Sequence, residues 1–182
     1  MKKQIVIATL ALAAFVLGTN TIQAQATTST PSTTVNIKLS DVISIDAGSV
    51  ATNGIVGFNY ATSTDYNSPQ NVTVANSLIV TSSNNFNVKV KAEGANFMNG
   101  SNVIPVDVLQ VKAVPAGGTM VGTFKTIALS ATDQELVSNA TLGAKKSLSI
   151  DYSISADKAS TVLLGKEPGT YTQKVTYTAT AI

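Results

Sequence analysis

The 182-residue sequence contains no histidine, cysteine, tryptophan or arginine. Each absence removes a chemistry. Without histidine or cysteine, the usual base near neutrality, the thiolate nucleophile and the soft metal ligands are gone. Catalysis would have to rest on carboxylate pairs, or on serine with lysine. The chain therefore reads as non-enzymatic, with no cofactor and no metal. No disulfide can staple it, and no cysteine can carry a lipid at a processing site. Positive charge is scarce where it would matter. The formal net charge is +2, and Lys2 and Lys3 account for all of it. The remaining ten lysines face ten carboxylates. A neutral surface without arginine is a poor nucleic-acid binder. Adhesion to an anionic membrane is disfavoured for the same reason.

The first residues read as a targeting segment. Lys2 and Lys3 precede an apolar run from Ile5 to Leu17, too short to span a bilayer comfortably. Small residues follow. Cleavage is expected after Ala24, leaving Gln25 as the new N-terminus; cleavage after Ala26 is the alternative. The processed chain of about 158 residues is a single-domain length. It can bury roughly 70% of its unfolded surface without disulfides. No later stretch is apolar enough to insert stably in a membrane.

Residues 25–34 (QATTSTPSTT) have no apolar pattern and read as a flexible arm. From residue 35 onward two-residue alternation dominates, the mark of half-buried antiparallel strands. Val35, Ile37 and Leu39 alternate in a first strand, and Val42, Ile43 and Ile45 continue it or start another. Ile55–Tyr60 is a second, with Val56, Phe58 and Tyr60 on one face. Val72, Val74 and Leu78–Val80 follow a polar loop over 61–71. Phe86, Val88, Val90 and Ala92 give the clearest alternation, with Lys89 and Lys91 on the other face suited to an edge. Residues 94–102 are a loop with two glycines. Strands are expected within 103–114, with Pro105 at a start or an edge, and within 120–129. Leu148, Ile150, Tyr152 and Ile154 alternate strongly. After Pro168-Gly169, one long strand holds Tyr171, Val175, Tyr177 and Ala179 on one side. Tyr171 is placed to act as a corner tyrosine, its hydroxyl bonded to backbone.

Helical signals are few. Thr132-Asp-Gln-Glu135 fits a capping box and predicts a turn of helix over 133–138. Residues 155–164 fit a second short helix. The sum is eight to ten short strands at regular spacing. The fold class is all-β, an antiparallel immunoglobulin-like sandwich over residues 35–182 with one or two helical turns.

Asp41, Asp46 and Asp65 lack the spacing of a calcium loop and read as surface carboxylates. Glu93, Asp107 and Glu135 form no acid/base pair visible in sequence. Tyr66 and Phe97 are loop aromatics, candidates for ligand contact on a sandwich rim. Val35, Ile37 and Leu39 are candidate strand-exchange positions, because strand edges recruit other chains. The same pattern fits the ordinary first strand of a monomeric domain.

Pro168-Gly-Thr-Tyr171-Thr, followed by Val175-Thr-Tyr177-Thr, resembles the C-terminal end of the spore coat protein U family and related pilin-like secreted bacterial domains. The resemblance implies an immunoglobulin-like sandwich exported to the cell surface and assembled by strand complementation. The expectation is an exported structural or adhesive surface protein, pilin-like, that self-associates or binds other surface proteins. The alternative is a non-catalytic ligand- or carbohydrate-binding module using the rim loops.

Overall fold

The computed structural model describes residues 32–47 and 54–182. The leader, both of its expected cleavage points and residues 25–31 of the arm lie outside the described residues. The chain divides into two units, residues 1–38 and 39–182. Of the first, residues 32–38 carry no regular element, and every one is exposed.

The second unit is an all-β antiparallel sandwich. Its larger sheet runs β1 (Ile43–Ala47), β2 (Gln70–Ser82), β10 (Gly143–Ile154), β6 (Gln110–Val114) and β8 (Thr126–Ala128), in that spatial order. The smaller runs β11 (Val175–Ala181), β3 (Phe86–Ala92), β9 (Gln134–Ala140) and β7 (Thr123–Phe124). A hairpin of β4 (Asn96–Asn99) and β5 (Asn102–Pro105) forms a third, two-stranded sheet.

Alternation explains why these segments became strands. Phe86, Val88, Val90 and Ala92 of β3 are all buried, while Asn87, Lys89 and Lys91 between them are not. Leu148, Ile150, Tyr152 and Ile154 of β10 face the same interior from the other sheet. Burying a large apolar side chain stabilises by about 1.5–3 kcal/mol, so a register slip that exposed either row would be costly. Lys89 and Lys91 do not guard an edge, because β3 lies between β11 and β9. Lys91 instead reaches Asp133 at 3.7 Å.

The sequence expectations need four corrections. Val35–Leu39 is not a strand; the first strand is Ile43–Ala47. Alternation gives an extended chain, but a strand also needs a partner edge, and here the first pairing is Ile43 with Ser82. Ile55–Tyr60 keeps its alternation, with Val56, Phe58 and Tyr60 half-buried against the core, yet it joins no ladder among the described residues. Residues 133–138 are not helical. Glu135 pairs with Lys125 at 2.5 Å instead of reaching back to cap a helix, and residues 134–140 join β3 and β7 as β9. The terminal strand is shorter than expected, starting at Val175, with a single bridge between Thr172 and Met98 ahead of it.

Two smaller differences have local causes. The expected loop over 94–102 holds β4 and the turn of the β4–β5 hairpin, made at Gly100 with φ 59°. The polar stretch 61–71 contains a short helix, Ser63–Asn67. The expected helix over 155–164 is present: one turn at Ala156–Lys158 continues as a wider turn over Ala159–Leu163. Ser155 caps it by accepting from the Lys158 amide.

Candidate functional site

The two long sides of the sandwich differ. On one, the chain passes directly from β7 to β8 through Lys125, crossing from sheet to sheet and closing that side. On the other, the borders are β1 and β11, which are distant in sequence. Among the described residues no strand pairs with the outer edge of either. β1 and β11 meet there without pairing, so the two sheets join along a seam that has no ladder.

A cavity of about 1270 Å³ lies along this seam. Leu78, Tyr152 and Ile154 line it from the larger sheet, and Val175 and Tyr177 from the smaller. Ile55–Tyr60 and residues 166–174 form its outer wall. A second space of about 320 Å³ sits between β1 and β11, and the two share Leu78, Lys174, Val175 and Tyr177.

Tyr66 and Phe97, singled out as loop aromatics, both line the larger cavity. The Ser63–Asn67 helix delivers Tyr66. Its N-terminus is a capping box in which Asp65 Oδ2 accepts from the Thr62 amide at 2.7 Å and the Ala61 amide at 2.9 Å. These bonds hold the Asp65 carboxyl below its ordinary range, the Thr62 amide contributing most. The Tyr66 ring stacks, tilted, against Tyr60 with centroids 5.2 Å apart, and its hydroxyl donates to the Tyr60 carbonyl at 3.4 Å. Phe97 comes from β4 and packs against the core.

Sequence reasoning did not find the tyrosines of the cavity floor. Tyr152 and Tyr177 come from different sheets, and their hydroxyls are 2.7 Å apart. Burial pushes both phenols above their ordinary value; for Tyr177 the neighbouring Tyr152 adds to the effect. Tyr60 is raised mainly by burial, and also by the Asp65 charge. All three are thus neutral at physiological pH. An available signal was tyrosine at inward positions of two strands.

The other candidates separate. Val35, Ile37 and Leu39 are 78%, 81% and 87% exposed. Glu93 pairs with Lys174 at 2.6 Å, Asp107 with Lys158 at 2.8 Å, and Glu135 with Lys125. Asp65 is committed to its cap. Among the described residues no three acidic side chains gather as a metal site would need. Tyr171 Oη donates to the Glu167 carbonyl at 2.8 Å, a corner contact to the backbone four residues upstream. No described helix is long and apolar enough to cross a membrane. No protein-family model matches this chain, and no curated protein sequence is significantly similar to it.

Proposed function

We propose that this chain is an exported, non-catalytic structural protein of the bacterial cell surface, a pilin-like fibre subunit that exchanges strands with its neighbours. The observation that carries the reading is the row of exposed apolar side chains at Val35, Ile37 and Leu39, alternating as a strand does but without a strand partner among the described residues. Each large side chain left in water forgoes about 1.5–3 kcal/mol that burial in a second molecule would supply. A Thr/Ser-rich stretch ahead of it gives reach. The sandwich and the terminal Gly-Thr-Tyr turn fit the pilin-like resemblance. Light scattering and negative-stain microscopy of the chain from Gln25 test it. Concentration-dependent oligomers or fibres, lost in Ile37→Asp, are expected; a strict monomer at every concentration rejects the reading.

A second reading, a ligand-binding module, is favoured by one observation: Tyr66 and Phe97 line one cavity. A glycan array comparing the parent with the Tyr66→Ala, Phe97→Ala double variant tests it. Binding unaltered by the double change removes these residues from the account.

A further inference from the structure

The larger cavity is lined mainly by buried and half-buried apolar side chains, among them Val74, Leu78, Leu109 and Ile154. Its phenols are not alike. Tyr152 and Tyr177 share one hydrogen bond at 2.7 Å. Tyr60 also lines the cavity, but its hydroxyl oxygen is out of solvent and has no hydrogen-bond partner among the described residues. A buried donor without an acceptor is unfavourable, and an accepting oxygen placed beside it would relieve that cost. Charge is kept to the rim. Among the described residues, the charged side chains lining the cavity are Lys166, Glu167 and Lys174, all in its outer wall. Lys174 is held by Glu93 at 2.6 Å, and Lys166 and Glu167 are neighbours of opposite sign. The Asp65 charge is felt at Tyr60 and would repel an anion there. Apolar surface continues to the mouth. Ile55 and Met98 line the cavity while 68% and 45% exposed, and Val103, opposite Met98 on the hairpin, is exposed too. One wall is lightly held. Residues 55–60 join no ladder among the described residues. Two side-chain bonds fasten the C-terminal end: Gln70 Nε2 donates to the Asn59 carbonyl at 2.8 Å, and Tyr66 Oη to that of Tyr60 at 3.4 Å.

We propose that this cavity binds an uncharged molecule with a long apolar body and one accepting oxygen, of the class of long-chain alcohols and their esters, with Tyr60 Oη donating to that oxygen. The inference rests on the ligand-binding reading and names the ligand class. The volume, about 1270 Å³, lies above the roughly 300–1,000 Å³ of most small-molecule sites, which suits a chain better than a single ring. A mostly apolar lining with a few placed polar groups is what such a molecule requires. A sugar fits poorly, because most of its hydroxyls would meet apolar side chains without partners. A fatty acid fits poorly, because its carboxylate would enter a lining that offers no unpaired cation beside Tyr60. The exposed apolar mouth gives the chain an entry, and the segment that carries Tyr60 can yield to it without breaking a ladder.

The test is fluorescence titration of the chain from Gln25 with N-phenyl-1-naphthylamine, an uncharged apolar dye without an accepting oxygen, followed by displacement with 1-decanol or decanoate. Saturable binding of one dye per chain is expected. Decanol should displace it at about tenfold lower concentration than decanoate, whose charge must be desolvated. Tyr60→Phe should weaken decanol about fivefold, the worth of one hydrogen bond, and leave the dye unaffected. Val56→Glu, on the lightly held wall, should abolish dye binding. Should that variant fail to fold, Tyr60→Phe removes a single oxygen and still decides the matter. Absence of saturable dye binding overturns the proposal, as does decanoate matching decanol. Unchanged decanol binding in Tyr60→Phe overturns the assigned donor. Glycan binding that needs Tyr66 and Phe97, with no dye bound, rejects this ligand class while the ligand-binding reading stands. Neither dye nor glycan bound rejects both.

Discussion

The hydroxyl oxygens of Tyr152 and Tyr177 stand 2.7 Å apart and bridge the two sheets at the floor of the seam. Either hydroxyl can donate to the other. Tyr152→Phe and Tyr177→Phe each take that partner from a buried hydroxyl and should each cost about 1–3 kcal/mol. The double variant should cost less than the two singles together, because the second change removes no further bond between them. Urea unfolding of the four proteins measures this, and strictly additive single costs would contradict the coupling.

The same pair makes stability fall in alkali. Both phenols are raised in the folded protein, chiefly by burial. An unfolded tyrosine ionises near about pH 10. Above that pH the unfolded chain releases protons that the folded chain retains, so unfolding becomes more favourable as pH rises. Their contribution is complete below about pH 10 and lost above it. The unfolding free energy of the parent should decline through that range, and the Tyr152→Phe, Tyr177→Phe double variant should decline less steeply.

Gly118 lies against the backbone of β10. A Cβ at this position would stand 2.5 Å from the Ser147 carbonyl oxygen and 3.3 Å from its carbon. That oxygen already accepts from the amides of Thr119 and Met120 at 3.0 and 2.9 Å. Gly118→Ala must push these segments apart, at a cost of about 1–3 kcal/mol. Gly57 is the control. Nothing lies within 4 Å of its would-be Cβ, and its φ is not positive. Gly57→Ala should fall within about 0.5 kcal/mol of the parent. Thermal unfolding of both variants separates a close approach from a tolerant position.

Phe86 is fully buried and sits between Ala140 on β9 and Ala181 on β11. Those small partners leave the space that its ring fills. Phe86→Ala should cost about 3–5 kcal/mol, because neither neighbour can reach into the void. Phe58 has the same side chain but is only half-buried, on a segment that joins no ladder among the described residues. Phe58→Ala should cost clearly less. Parallel denaturant titrations test the ranking.

These contrasts show what alternation can and cannot reveal. β3, β10 and most of β11 were legible, because each presents an uninterrupted apolar row to one interior. β9 was not. Leu136 and Val137 are adjacent and both buried, since the register with β3 shifts between Val88 and Lys89. A bulge breaks the two-residue period from which strands are read. Val35–Leu39 failed oppositely: its period is perfect, but periodicity says nothing about the neighbour a strand requires. At the candidate site, Tyr66 and Phe97 were visible as aromatics in polar loops. Their meeting at one cavity was not, because hairpin β4–β5 and the Ser63–Asn67 helix are brought together by tertiary packing. Tyr152 and Tyr177 passed for ordinary core residues, since an inward tyrosine looks like any other apolar position until its hydroxyl partner is placed.

The Asp65 carboxylate accepts from the Ala61 and Thr62 amides and from Thr62 Oγ1. The helix it caps buries no residue, so Asp65→Ala should leave global unfolding close to the parent. The effect should be local. Tyr66 rides on that helix and donates to the Tyr60 carbonyl, so losing the cap loosens the C-terminal fastening of residues 54–60. Acid should act likewise. A carboxyl with a lowered value contributes fully above the ordinary aspartate range and loses that contribution as pH falls through its own lower value. Amide exchange by nuclear magnetic resonance should show Ala61 and Thr62 released in Asp65→Ala at neutral pH, and in the parent only in strong acid. Released cap amides beside unchanged exchange at residues 58–60 would mean that Gln70 alone holds this end, and Gln70→Ala would then be the variant that frees it.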